Sequence, residues 1–147
     1  MAEAELLELS LEACLALLRG TAVGHLGFVV DEWPIVVPVN YRMVEVGERR
    51  WLALRTRPGS IIDRAPFNVA FEVDGIDAAH RGGWSVVVRG TLHHVDADAA
   101  GFRERFDPEP WILAERDSWL IIDPVLITGR QLRGAEPEWA FLTEAYL

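Results

Sequence analysis

The sequence predicts a mainly β domain of about six antiparallel strands with a few short helices. Apolar residues recur at every second position in 23–30 and 35–41, the period of a strand with one buried face. Between such runs lie turn-forming residues, as in the "DEWP" segment, at Gly47 and at Pro58-Gly59-Ser60. Helical spacing appears only in short stretches. Closing a sheet of this kind into a small barrel removes its exposed edges.

The elements follow in order. Ser10 caps a short helix, Glu12 sits near its positive end, and Gly20 stops it. Leu11, Cys14, Leu15 and Leu18 form its apolar stripe, which makes Cys14 a core residue rather than a nucleophile. Segment 23–30 is a strand with Leu26, Phe28 and Val30 on one face. Segment 34–60 reads as a hairpin. Ile35, Val37, Val39 and Tyr41 share one face of its first strand, and Val36, Pro38 and Asn40 the other. After a turn at Gly47, 51–54 forms the second strand and delivers Arg55-Thr56-Arg57 and Pro58-Gly59-Ser60 to one loop. A short helix with Ile61 and Ile62 ends by Arg64. "NVAFEVD" is a fourth strand, "GIDAAHRGG" a loop, and "WSVVVRGTLHHV" a long strand with a bulge at Gly90. Residues 97–106 have helical spacing. "DSWLIIDPVLITGRQL" closes the sheet, with Pro124 marking a bulge or an edge. A short helix over 136–147 packs Trp139, Phe141 and Leu142. Several strands are apolar on both faces, so a twofold homodimer is expected to cover what the barrel does not fill.

The 147 residues fit one domain, 1–147, with a workable core. A net charge of −9, from 14 basic and 23 acidic residues, argues against a general nucleic-acid or acidic-membrane partner. The single cysteine excludes an intrachain disulfide. No apolar run approaches a membrane span, and the N-terminus lacks a basic leader, so a cytoplasmic setting is expected.

Three constellations could carry chemistry. Arg55, Thr56 and Ser60 share a glycine turn whose backbone N–H groups could nest an anion, and the alternative is an ordinary polar turn. In "GGWSVVVRG", Trp84 and Ser85 point to opposite faces. They could wall a planar ring and meet a phosphate, or serve as a core tryptophan and a solvated serine. Arg130, in "ITGRQLRG", could reach a pocket or form a surface ion pair. His93 and His94 diverge on one strand, and no Cys/His or HxxxH spacing supports a metal site. His25 could act as an acid or base, or be a hydrogen-bonded structural histidine. No nucleophile triad, GxGxxG or GxxxxGK[ST] loop is present.

Taken in order, "LSLEACLALLRG", "PIVVPVNY", "LRTRPGS", "VAFEVDGID", "GWSVVVRG" and "ITGRQL" resemble the pyridoxamine 5′-phosphate oxidase-like, FMN-binding split-barrel family, in particular short bacterial members grouped with nitroimidazole-resistance proteins. The resemblance spans nearly the whole chain. It implies a six-stranded split barrel that dimerises around FMN. Val39 and Asn40 would lie along the flavin ring, Arg55 and Thr56 near the ring edge and ribityl chain, and Ser60 on the phosphate. Trp84, Ser85, Trp119 and Arg130 would complete the site, with the partner subunit contributing. The implied function is an FMN-dependent oxidoreductase that acts on a small organic substrate by hydride transfer. The alternatives are a non-catalytic binder of flavin, deazaflavin or haem on the same dimeric barrel, and a degenerate member with a structural role. In one respect the chain departs from the family: Ile61 and Ile62 stand where firm FMN binders place a cation. Losing such a partner costs about 1.5–3 kcal/mol, or roughly ten- to a hundredfold in affinity.

Overall fold

The computed structural model describes residues 3–112 and 117–134. The helix expected over 136–147 lies outside the described residues. The described chain forms eight strands, two short α-helices and two 3₁₀ turns. The strands are β1 (Glu5–Glu8), β2 (Val23–Val30), β3 (Trp33–Asn40), β4 (Arg42–Val46), β5 (Arg49–Thr56), β6 (Phe67–Asp77), β7 (Gly82–His94) and β8 (Ser118–Arg133). The helices are α1 (Leu11–Arg19) and α2 (Phe102–Phe106).

All strand pairs are antiparallel, in the order β3-β2-β6-β7-β8-β5-β4, with β1 added alongside the C-terminal half of β8. The sheet curls but is not closed by hydrogen bonds between β3 and β4, which leaves a split barrel. Pro34 and Pro38 both lie on β3, and proline, lacking an N–H, is tolerated at such an edge. The strand count exceeds the expected six. The acidic, leucine-containing segment at β1 gave no alternation to reveal a strand, and the expected first hairpin is divided. β3 pairs with β2 across the Asp31-Glu32 turn, whereas the turn at Gly47 joins β4 to β5. Alternation therefore gave the face of β3 but not its partner. Asp31 and Glu32 both have positive φ, as a two-residue hairpin turn demands, although neither is glycine.

The core is built from the inward residues of alternating strands: Leu26, Leu52, Leu54, Phe71, Val73, Val86, Val88, Leu92, Leu120 and Ile122. α1 begins where Ser10 accepts the Ala13 N–H and ends at Gly20, as its sequence predicts. It lays Cys14, Leu15 and Leu18 into the same core, against β4, β7 and β8. Each such buried leucine contributes about 1.5–3 kcal/mol. Tyr41 ties the helix to the barrel, its hydroxyl donating to the Leu18 carbonyl at 2.6 Å, and burial pushes its phenol up to about 12. The bulge expected at Gly90 is present: β7 and β8 slip register there, Arg89 opposing Leu126 while Gly90 opposes Pro124.

Candidate functional site

Five of the nine expected site residues converge. Val39, Asn40, Arg55, Thr56 and Ser60 line one cleft of about 260 Å³, together with Pro38, Ile62, Pro110 and Ile112. The β3 edge forms one wall, and the end of β5 with its following turn forms the other. Arg55 is held in place by Asp107 and Trp119. Its guanidinium donates to Asp107 at 3.0 and 3.2 Å, and lies over the indole of Trp119, 4.7 Å from the ring centroid. Trp119 is its register partner on β8 and is buried, against Phe102 and Arg103. The Trp119 Nε1 has no hydrogen-bond acceptor among the described residues.

Residues 107–112 cross the mouth of this cleft, a feature that no motif announced. Asp107 engages Arg55, its carbonyl accepts from Arg42 at 3.5 Å, and the Trp111 N–H donates to Asn40 Oδ1 at 3.0 Å. Two expected ligand-binding side chains are thus already bonded to the chain's own crossing segment.

Of the two readings of the glycine turn, an anion nest or an ordinary polar turn, the hydrogen bonds resemble the second. The Ser60 N–H donates to the Arg57 carbonyl at 3.1 Å, and the Gly59 N–H donates to the Asp63 carboxylate at 2.8 Å. These two amides are therefore partnered within the chain, and the anion on the Gly59 amide is Asp63. That carboxylate also accepts from the Ser118 hydroxyl and contacts His94 Nε2 at 2.9 Å. Ser118 first, then the Gly59 amide and His94, bring its pKa down to about 2. What the turn still presents is a hydroxyl pair, Thr56 Oγ1 and Ser60 Oγ, 2.7 Å apart. Ile62 is a buried core residue at the cleft wall and Ile61 packs against the core, which explains why neither position carries a cation.

The remaining expected residues sit elsewhere on this chain. Trp84, Ser85 and Arg130 line a second hollow of about 200 Å³ with Leu6, Ile76, Gly82, Gly83 and Leu132. Ser85 and Arg130 are register partners on β7 and β8. Trp119, Trp84 and Arg130 do not meet within one chain: Trp119 backs the first cleft, and the other two border the second.

His25 is exposed on β2 and its ring makes no hydrogen bond among the described residues, unlike the hydrogen-bonded structural histidine expected. It lies instead beside Glu72 and Asp74 of β6. Sequence spacing missed this cluster because it forms across strands nearly fifty residues apart. Burial first, then the neighbouring Asp74, pushes the Glu72 carboxyl up to about 7.

The family description for pyridoxamine 5′-phosphate oxidase matches residues 10–131, and the chain belongs to this family. An uncharacterised protein of Mycobacterium tuberculosis is 30% identical over 128 residues, covering 85% of this chain and 84% of its own length. The solved structure of an FAD binding protein from Mycobacterium smegmatis is 30% identical, with a TM-score of 0.64 over 88% of this chain and 100% of its own. An FAD-binding protein from Mesorhizobium loti is 26% identical, with a TM-score of 0.71 over 90% of this chain and 99% of its own. Among the described residues no helix is long and apolar enough to cross a membrane.

Proposed function

We propose that this chain is an FMN-dependent oxidoreductase acting on a small organic substrate by hydride transfer, as a cytoplasmic homodimer with the flavin in a cleft shared by two copies. The observation that carries this reading is the convergence of Val39, Asn40, Arg55, Thr56 and Ser60 on one cleft. At about 260 Å³ that cleft is slightly smaller than the roughly 300–1,000 Å³ usual for small-molecule sites. A second surface is needed to enclose a flavin, and the hollow at Trp84, Ser85 and Arg130 of another copy suits that role.

A bound flavin supplies the hydride chemistry, and the chain supplies orientation and electrostatics. The β3 edge at Val39 and Asn40 borders the ring. Of the bonded Thr56–Ser60 hydroxyl pair, the one whose proton is free would donate to a phosphate oxygen, and Arg55 would add the charge once Asp107 yields it. Trp119 keeps the guanidinium aimed at the cleft. Ser85 and Arg130 of the second copy contribute a hydroxyl and a cation. No side chain is required as an acid or base.

FAD is the second reading. The Asp63 carboxylate on the Gly59 amide and the apolar Ile61 and Ile62 disfavour the dianionic terminal phosphate of FMN at this turn, and both relatives described as FAD-binding share the fold. The test is the absorbance spectrum of the purified protein, identification of any nucleotide released on denaturation, and titration with FMN and FAD. A flavin band with submicromolar binding, and steady reduction of a quinone or nitroaromatic, are expected. Absence of flavin, with no rise in melting temperature on adding either nucleotide, sinks the proposal. Binding of a deazaflavin or haem without turnover would instead make the chain a carrier.

A further inference from the structure

We infer that His25, Glu72 and Asp74 form a binding site for a divalent first-row metal ion of the zinc class, clamping β2 to β6 on the outer face of the sheet. The three residues come together through strand register. His25 lies directly opposite Glu72, and Asp74, two residues further along β6, points to the same face. Their ligand atoms all lie within 4.8 Å of one another. Zinc bond lengths of about 2.0–2.2 Å set ligand spacings of roughly 3.3 Å, so modest side-chain rotations close the site.

The charge arrangement points to a cation. Other acidic residues on β4 and on β6 itself have basic partners: Glu45 has Arg19 and Asp77 has His80. Among the described residues neither Glu72 nor Asp74 has an ion pair, although the two carboxylates lie side by side. One oxygen of Glu72, Oε1, is shielded from solvent and accepts no hydrogen bond. A neighbouring imidazole completes a donor set of one nitrogen and two carboxylates. That mixture favours borderline ions such as Zn²⁺ over the oxygen-seeking Mg²⁺ and the thiolate-seeking Cu⁺. Three protein ligands leave an exchangeable position for water. The site is separate from the cleft proposed for flavin and does not depend on it.

The test uses the full chain after dialysis against a chelator, titrated calorimetrically with Zn²⁺ and in parallel with Mg²⁺. One saturable Zn²⁺ site per chain is expected. A melting-temperature rise of roughly 5–10 °C should follow at about a hundredfold excess over the dissociation constant. Glu72→Gln, Asp74→Asn and His25→Ala should each weaken Zn²⁺ at least about tenfold, while melting as the wild type does in chelator within a few degrees. His80→Ala, in the exposed His80–Asp77 pair, serves as the control and should leave Zn²⁺ affinity unchanged. Lack of saturable binding below about 1 mM, equal affinity for Mg²⁺, or Zn²⁺ binding that survives all three substitutions would each overturn the assignment.

Discussion

Asp63 is the residue on which most of the turn depends, and its chemistry fixes a pH dependence. Its pKa is depressed to about 2 from an ordinary value of 3.8, so the folded state favours the carboxylate. That contribution is fully present above the unfolded value and is lost as the pH falls through about 2. Asp63→Asn should therefore lower the melting temperature at about pH 5, and the gap from wild type should close as the pH approaches about 2. Thermal melts across that range check this. Arg55 tests the cleft. Arg55→Ala should weaken flavin binding roughly ten- to a hundredfold. Asp107→Asn, which removes the carboxylate bonded to that guanidinium, should instead tighten it; titrations of both variants separate the two effects. Residues such as Arg55, Thr56 and Ser60 were legible because one short segment carries them together. Asp63 was not, because its role comes from meeting Ser118 and His94, which lie on other strands.

At the level of elements, the sequence announced those whose boundaries are chemical. Ser10 and Gly20 bracket α1, and Gly90 marks the place where β7 and β8 change register. A Cβ at Gly90 would press on the backbone carbonyl of Asp123, which cannot rotate away. Gly90→Ala should cost about 1–3 kcal/mol, as overpacking does, readable as a lower urea midpoint with an unchanged slope. Pairing was the illegible part. The alternation of β3 is the same whether it joins β2 or β5, and the Asp31-Glu32 turn lacks the glycine that usually marks a tight hairpin. The crossing segment 107–112 has no periodicity, so its position over the cleft follows from its tertiary contacts with Arg42, Arg55 and Asn40.

For the whole molecule, the two separated clusters make an oligomer-level prediction. Ile76 and Leu132 border the second hollow and are 75% and 42% exposed, an apolar rim suited to another copy of the chain. If two copies share each flavin, Ile76→Asp with Leu132→Asp should yield monomers by light scattering and lower flavin affinity more than about tenfold, although every residue of the first cleft is intact. Monomers that bind flavin normally would rule out the shared cleft. The barrel itself was legible from alternation and turn residues. The separation of the nine expected residues into two clusters within one chain was not, because sequence order carries no record of which strand ends meet.

Val125 is the residue that β8 spends in slipping past β7, and it is 81% exposed. Before it, the even-numbered Leu120 and Ile122 face the core; after it, the odd-numbered Ile127 and Gly129 take that face. The bulge thus resets the phase of the strand. Were β8 to alternate evenly through Val125 instead of bulging there, Arg130 would be turned into the barrel and Gly129 would face out beside Ser85. A deletion of Val125 would therefore straighten β8, with Leu126 and Pro124 still opposite Arg89 and Gly90 in unbroken register, and would leave Arg130 pointing as it does now.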